Sequence, residues 1–221
     1  GIALDGKGRV YVADPERHRI QVFDTEGRLL CLWGEKSDSD TVDRDSDLFP
    51  IAIDIDGEGR VYVAESHYQR IQVFDLEGRF LRKWGSREWN SEGTEDGEFK
   101  SPAGIAVDGE GNVYVSDAGT HSVQVFDSEG QFLAKRSKKG VGDGGFSIPR
   151  GIAVGDEGKI YVADSGNDRI LVFRRKEAGD GNDHDYSNFI PEPDHGWTRS
   201  LIEFEYQERS NSAKFILDEL S

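Results

Sequence analysis

The sequence predicts an all-β chain made of four-stranded antiparallel sheets, and three observations carry that prediction. A twenty-residue stretch recurs along the chain, its apolar residues fall at every second position, and each copy is bracketed by glycine turns of the hairpin type. The first two copies are "RVYVADPERHRIQVFDTEGR" (Arg9–Arg28) and "RVYVAESHYQRIQVFDLEGR" (Arg60–Arg79), identical at fourteen of twenty positions. The third is "NVYVSDAGTHSVQVFDSEGQ" (Asn112–Gln131) and the fourth "KIYVADSGNDRILVFRRKEA" (Lys159–Ala178).

Each repeat opens with a short apolar strand: "GIALD" at Gly1, "IAIDID" at Ile51, "GIAVD" at Gly104 and "GIAVG" at Gly151. Aligned on Ile2, Ile51, Ile105 and Ile152, the copies are 49, 54 and 47 residues apart, a period that belongs to propeller blades or solenoid units. The second and third strands, of the type "VYVAD" and "IQVFD", alternate with period two and are rich in β-branched and aromatic residues. No sustained 3.6-residue period competes with them. "DGKGR", "DGEGR" and "DGEGN", and one hairpin later "DTEGR", "DLEGR" and "DSEGQ", place glycine where a tight turn needs positive φ. A fourth strand follows in three repeats, "LLCLWG", "FLRKWG" and "FLAKRS"; the fourth repeat lacks the D-x-x-G turn and an obvious outer strand. Four-stranded meanders arranged radially are β-propeller blades, which protect their strand edges. The blades are expected at 1–34, 48–85, 99–136 and 148–175. The differences between the first two copies cluster in "DPERH" against "ESHYQ", the loop joining second and third strands. Packing fixes the strands and leaves the loops free to vary.

From Lys176 the repeat stops. Residues 176–198 read as a polar, glycine-rich linker, and 199–221 as a strand pair or a divergent partial blade, with "SLIEFEYQ" (Ser200–Gln207) alternating as a strand would. The chain has 43 acidic and 27 basic residues, a net charge of −16, which repels nucleic acid and anionic membranes and favours basic partners. Its apolar runs are too short for a membrane helix or a secretory signal. Cys31, the single cysteine, reads as a small buried hydrophobe. Because the chain starts at Gly1 and contains no methionine, it is expected to be a fragment, an excised domain or a processed form.

The spaced motifs resemble the NHL-repeat β-propeller family, whose pattern reads P-x-G-I-A-V-D, a glycine turn, then I-Y-V-A-D-S-x-N-x-R-I-Q-V-F-D-x-x-G. "SPAGIAVDGEGNVYVSDAG" (Ser101–Gly119) and "IPRGIAVGDEGKIYVADSGNDRILVF" (Ile148–Phe173) follow it closely, as do the links "GTEDGEFKSP" (Gly93–Pro102) and "GDGGFSIP" (Gly142–Pro149). In this reading Pro50 stands where the pattern has glycine, and Ser122 replaces the arginine found at Arg19, Arg70 and Arg169. Family propellers commonly have six blades, so four imply an incomplete or open ring. The resemblance also implies that ligands and partners meet the face carrying the loops between second and third strands and the links between blades. On that face lie Arg17, His18, Tyr68, Gln69, Thr120, His121, Arg150, Asn167 and Asp168, with the long links Glu35–Leu48 and Ser86–Lys100.

No catalytic site, metal or cofactor is expected. "DSDTVDRDSD" (Asp38–Asp47) is similar to a calcium loop but has Leu48 where the sharp-turn glycine belongs, and "DGNDHD" (Asp180–Asp185) is equally incomplete. His18, His67 and His121 lie on three repeats without zinc spacing. Enzymes on related propellers often hold calcium at the central channel, and the opening positions of the inner strands, Phe49, Ala103 and Arg150, include no carboxylate. Nucleophile elbow and phosphate loop are both missing. The reading is a non-enzymatic scaffold that binds a protein partner with a basic surface. The alternatives are a propeller hydrolase or lyase, and single-stranded RNA binding through "AKRSKKG", with Lys135, Arg136, Lys138 and Lys139; the net charge argues against RNA. Finally, Arg19, Arg70 and Arg169 are expected to pair with the acids ending the second strands, Asp14, Glu65 and Asp164.

Overall fold

In the first three repeats an aspartate closes the turn after the inner strand and the turn after the third strand. Asp5 Oδ1 accepts the backbone N–H of Lys7 and Arg9, Asp5 Oδ2 accepts Arg9 Nε at 2.6 Å, and Gly8 supplies φ +79°. Burial raises the Asp5 pKa, but the hydrogen bonds from Arg9 and Lys7 outweigh it and hold the carboxyl below its ordinary value. The same geometry recurs at Asp24, Asp56, Asp75, Asp108 and Asp127, so the turns are specified within five residues of sequence.

These turns fold the chain into four meanders in the computed structural model, which describes residues 1–34, 48–85, 91–141, 145–155, 158–174 and 190–191. Blade 1 holds β1 (Ile2–Leu4), β2 (Val10–Asp14), β3 (Arg19–Phe23) and β4 (Leu29–Trp33). Blade 2 holds β5 (Ala52–Ile55), β6 (Val61–Glu65), β7 (Arg70–Phe74) and β8 (Phe80–Gly85). Blade 3 holds β9 (Pro102–Val107), β10 (Val113–Asp117), β11 (Ser122–Phe126) and β12 (Phe132–Ser137). Blade 4 holds β13 (Pro149–Val154), β14 (Lys159–Asp164), β15 (Arg169–Arg174) and β16 (Ile190–Pro191). Every sheet is antiparallel with its strands in chain order. The all-β, four-blade propeller read from the sequence is the observed fold.

Between successive blades lie three apolar layers. One face of blade 1 (Tyr11, Ala13, Ile20, Val22, Trp33) packs on Ile53, Val61, Val63 and Phe74 of blade 2. Blades 2 and 3 repeat the layer through Tyr62, Ala64, Ile71 and Val73 against Ile105, Val113, Val115 and Phe126. Blades 3 and 4 repeat it through Tyr114, Val123 and Val125 against Ile160, Val162 and Phe173. At the outer rim, Trp33 lies 5.0 Å from the Phe74 ring and Trp84 5.7 Å from Phe126, while Arg136 fills the third equivalent place, 5.2 Å over Phe173. The inner strands pack in the order β1, β5, β9, β13, and among the described residues no comparable packing joins the first to the last, so the described blades form an arc.

Three sequence readings change. In blade 2 the inner strand is displaced by two residues: Ile53, not Ile51, pairs with Val63 as Ile2 pairs with Val12 and Ile105 with Val115. A two-residue slip keeps the alternation of "IAIDID" intact, so periodicity cannot detect it. Pro50 therefore takes the place of Pro102 and Pro149, and Ala52 takes the glycine position. The spacings become 51, 52 and 47 residues, and the inner-strand opening positions are Ile51, Ala103 and Arg150, not Phe49. Cys31 is exposed, not buried, because β4 is the outermost strand of its sheet. Within the stretch read as linker, Ile190–Pro191 pairs with Phe173 and Arg174 as the outer strand of blade 4. The readings at Asp38–Asp47, Asp180–Asp185, Ser200–Gln207 and Ala213–Leu220 lie outside the described residues.

Candidate functional site

On one face of the arc every blade repeats the same small machine. The second strand ends in a carboxylate, Asp14, Glu65, Asp117 or Asp164. After a short loop, a residue in the left-handed region turns the chain into the third strand: His18 (φ 54°), Gln69 (54°), His121 (55°) or Asp168 (52°). The arginine after it reaches back to the carboxylate, as the sequence predicts. Arg19 Nε lies 3.2 Å from Asp14, Arg70 Nε 2.5 Å from Glu65, and Arg169 Nε 2.9 Å from Asp164. In blade 3, where Ser122 replaces arginine, Asp117 accepts the backbone N–H groups of Lys100, Ser101, Gly119 and Thr120 at 2.7–3.1 Å. Four N–H dipoles aimed at a buried carboxylate satisfy it without an arginine.

These groups also hold the links between blades, each from both sides. Leu48–Phe49 is fixed by His18 Nδ1, which donates to Leu48 O (3.1 Å), and by Glu65 Oε1, which accepts Phe49 N–H (2.5 Å). Lys100 O accepts Gln69 Nε2 (3.1 Å) while Lys100 N–H donates to Asp117. Ser147 N–H donates to Asp164 (2.5 Å), and the next N–H, from Ile148, donates to His121 Nδ1 (3.1 Å). The two histidines therefore carry opposite tautomers: His18 bears its proton on Nδ1, and His121 has its lone pair there.

The nine residues singled out from the sequence are divided by this arrangement. His18, Gln69 and His121 hold the following link, and Asn167 donates to Gly140 O (3.0 Å) and Asp164 (2.7 Å). Thr120 Oγ1 bonds Ser122 Oγ at 2.7 Å, and Tyr68 lies under the Arg70 guanidinium at 4.7 Å. Arg17, Arg150 and Asp168 are exposed. Three residues were missed. The Phe49 ring lies 5.3 Å from His18 and 5.5 Å from His67, which is 5.0 Å from Tyr68, so four rings form a ladder from blade 1 to blade 2. Ile148, exposed on the next link but one, has φ 53°, a conformation that costs a β-branched residue about 1–2 kcal/mol. Only the isolated aromatic before Pro50 hinted at the ladder; no sequence signal marks the backbone of Ile148.

The basic link is partly occupied. Lys135 Nζ lies 3.3 Å from the carbonyls of Gly93, Thr94 and Glu95, and Arg136 is held over Phe173, where burial lowers its pKa. Among the described residues no group of three or more His, Cys, Asp or Glu is placed to hold a metal ion, and no helix is long and apolar enough to cross a membrane.

The family model for the NHL repeat matches residues 1–23, 99–126 and 146–173, three of the four blades. The chain is 32% identical over 140 residues to Protein brain tumor of Drosophila melanogaster, covering 61% of this chain and 12% of that protein. It is 29% identical over 128 residues to the human E3 ubiquitin-protein ligase NHLRC1, covering 58% of this chain and 29% of that one. It thus spans less than a third of the length of either relative. Among solved structures, a streptogramin B lyase superposes with TM-score 0.57 at 16% identity, over 79% of this chain and 51% of the lyase. A chain of a nidogen/laminin complex superposes with TM-score 0.56 at 19% identity, over 79% and 58%. Repeat order, blade topology and these matches agree: the chain carries NHL repeats on a β-propeller fold.

Proposed function

We propose that this propeller is a non-enzymatic docking module that binds a protein partner through the face described above. The observation that carries the reading is the His18–Phe49–His67–Tyr68 ladder on links held from both sides. Rings on a rigid mount supply large contact area at little entropic cost, which is how hot spots are built. Arg17, Arg150 and Asp168 are exposed on the loops and links of the same face, and the exposed Ile148 adds an apolar contact. The partner presents Lys or Arg beside an apolar residue: the net charge of −16 steers it in, and exposed Glu16 and Asp168 offer local counter-charges. A relative named as a ubiquitin ligase suits a module that recognises proteins for a neighbouring activity.

The test is a peptide array of systematically varied charge probed with the purified chain. Retention of basic-apolar peptides, weakened by salt and lost in Phe49→Ala and Ile148→Asp, is the expected result. Retention of a single-stranded RNA pool instead, abolished by Lys138→Ala/Lys139→Ala, would replace this reading with RNA recognition.

A further inference from the structure

In the first three blades the left-handed residue that ends the loop between second and third strands clamps the following link with its side chain. His18 Nδ1 donates to Leu48 O at 3.1 Å, and Gln69 Nε2 donates to Lys100 O at 3.1 Å. Of the three, only His121 accepts: Ile148 N–H donates to its Nδ1 at 3.1 Å. A protonated imidazole carries a hydrogen on both ring nitrogens. The His18 bond survives that change. The His121 bond does not, because Ile148 N–H would then face another donor. Imidazole is also the side chain whose ordinary charge change falls between about pH 5 and 8.

What the His121 bond holds is a strained backbone. Ile148 has φ 53°, is 40% exposed and precedes Pro149. A β-branched residue disfavours the left-handed region, and the residue before a proline is biased toward extended backbone. Its neighbours are anchored independently. Phe146 is fully buried with its ring 5.6 Å from Phe173, Ser147 N–H donates to Asp164 at 2.5 Å, and the buried Pro149 stands in register with Asp164. Release of the Ile148 N–H therefore leaves the link in place and frees one residue to relax. Of the charged groups on the elements around His121, Asp117 is committed to four backbone N–H groups, Glu92 to Lys100, and Asp164 to Arg169 and Asn167. Lys138, Lys139 and Arg150 are cations and offer no acceptor. These groups do not replace the Nδ1 lone pair.

We propose that His121 is an acid-released latch on the docking face. Neutral, it holds Ile148 in the left-handed conformation; protonated, it lets that residue relax toward extended backbone and withdraws its apolar contact. The effect on binding rests on the docking reading above, and the latch itself does not.

The variant His121→Asn separates the latch from the fold. Asparagine Oδ1 stands where histidine has Nδ1, accepts without titrating, and asparagine tolerates the left-handed backbone found there, φ 55°. Heteronuclear NMR of the 221-residue chain between about pH 7.5 and 5.5 reads both states. At the upper end His121 Nδ1 should lack a proton and His18 Nδ1 should carry one. On acidification the exchange protection of the Ile148 amide, corrected for its intrinsic pH dependence, should fall roughly 3–10-fold, the effect of losing one hydrogen bond. In His121→Asn it should stay constant. Retention of basic-apolar peptides should fall further in the parent than in His121→Asn by a similar factor, since His18 and His67 are common to both. A proton on His121 Nδ1 at the upper end, protection indifferent to pH, or the same loss in His121→Asn would each overturn the latch. If the Ile148 amide responds as described while no peptide is retained at any pH, the latch stands and the docking reading falls.

Discussion

Replacing Arg70 with alanine should cost far more than replacing any exposed arginine, because of what it leaves behind. Glu65 has a fully buried side chain, and Arg70, only 9% exposed, sits 2.5 Å from it. Removing one partner of a buried pair costs about 3–5 kcal/mol, most of it from the stranded charge. Phe49 N–H and Gln72 Nε2 still donate to Glu65, which places the expectation near the lower end, about 3 kcal/mol. For a chain of this size that is a fall in Tm of roughly 6–12 °C. The control is Arg28→Ala, whose pair with Asp24 sits on an arginine 74% exposed and should contribute little, since solvent screens it.

Thermal and urea unfolding of Arg70→Ala, Glu65→Gln and the double variant separate the effects. Glutamine at 65 still accepts the Phe49 N–H and carries no charge, so the double variant should regain most of the stability lost in Arg70→Ala. If Arg70→Ala melted within about 2 °C of Arg28→Ala, or if the two losses at 65 and 70 simply added, the pair would not be holding a buried charge.

Three other outcomes are expected. Gly78→Ala should destabilise by about 2–4 kcal/mol in urea unfolding, since φ +80° suits glycine and a Cβ there would meet Trp33 Cγ at 2.4 Å. Ile148→Gly should raise stability by about 0.5–1 kcal/mol by releasing left-handed strain, while reducing peptide retention on the array. Asp54, whose pKa is raised above 3.8 by burial against its hydrogen bonds from Val107 and Ile55 N–H, contributes stability present below pH 3.8 and lost as pH rises through its folded value. The parent should therefore gain stability relative to Asp54→Asn on acidification toward pH 3.8, since asparagine keeps one acceptor and cannot titrate; a difference independent of pH would show that the carboxylate is not the cause.

How much of this could be read in advance depended on how far each determinant reaches along the chain. The turns were legible because Asp5, Gly8 and Arg9 complete their hydrogen bonds within five residues, and the Arg70–Glu65 pair was legible because the two residues face each other across one hairpin. The blade 2 register was not, because a slip of two residues preserves the alternation and only pairing with Val63 distinguishes Ile53 from Ile51. The link clamps were hidden for a different reason. His18 and Leu48 are thirty residues apart, and a loop histidine reads the same whether its ring meets a partner or a carbonyl. Exposure at the ends was the least visible of all. Tyr161 stands in "IYVAD" as Tyr11 stands in "VYVAD", so local sequence assigns both to the interior. Only the structure shows that, among the described residues, a blade covers Tyr11 and none covers Tyr161. In a repeat protein each unit is encoded as though it were flanked on both sides, and the residues with unsatisfied packing appear only when the units are counted in space.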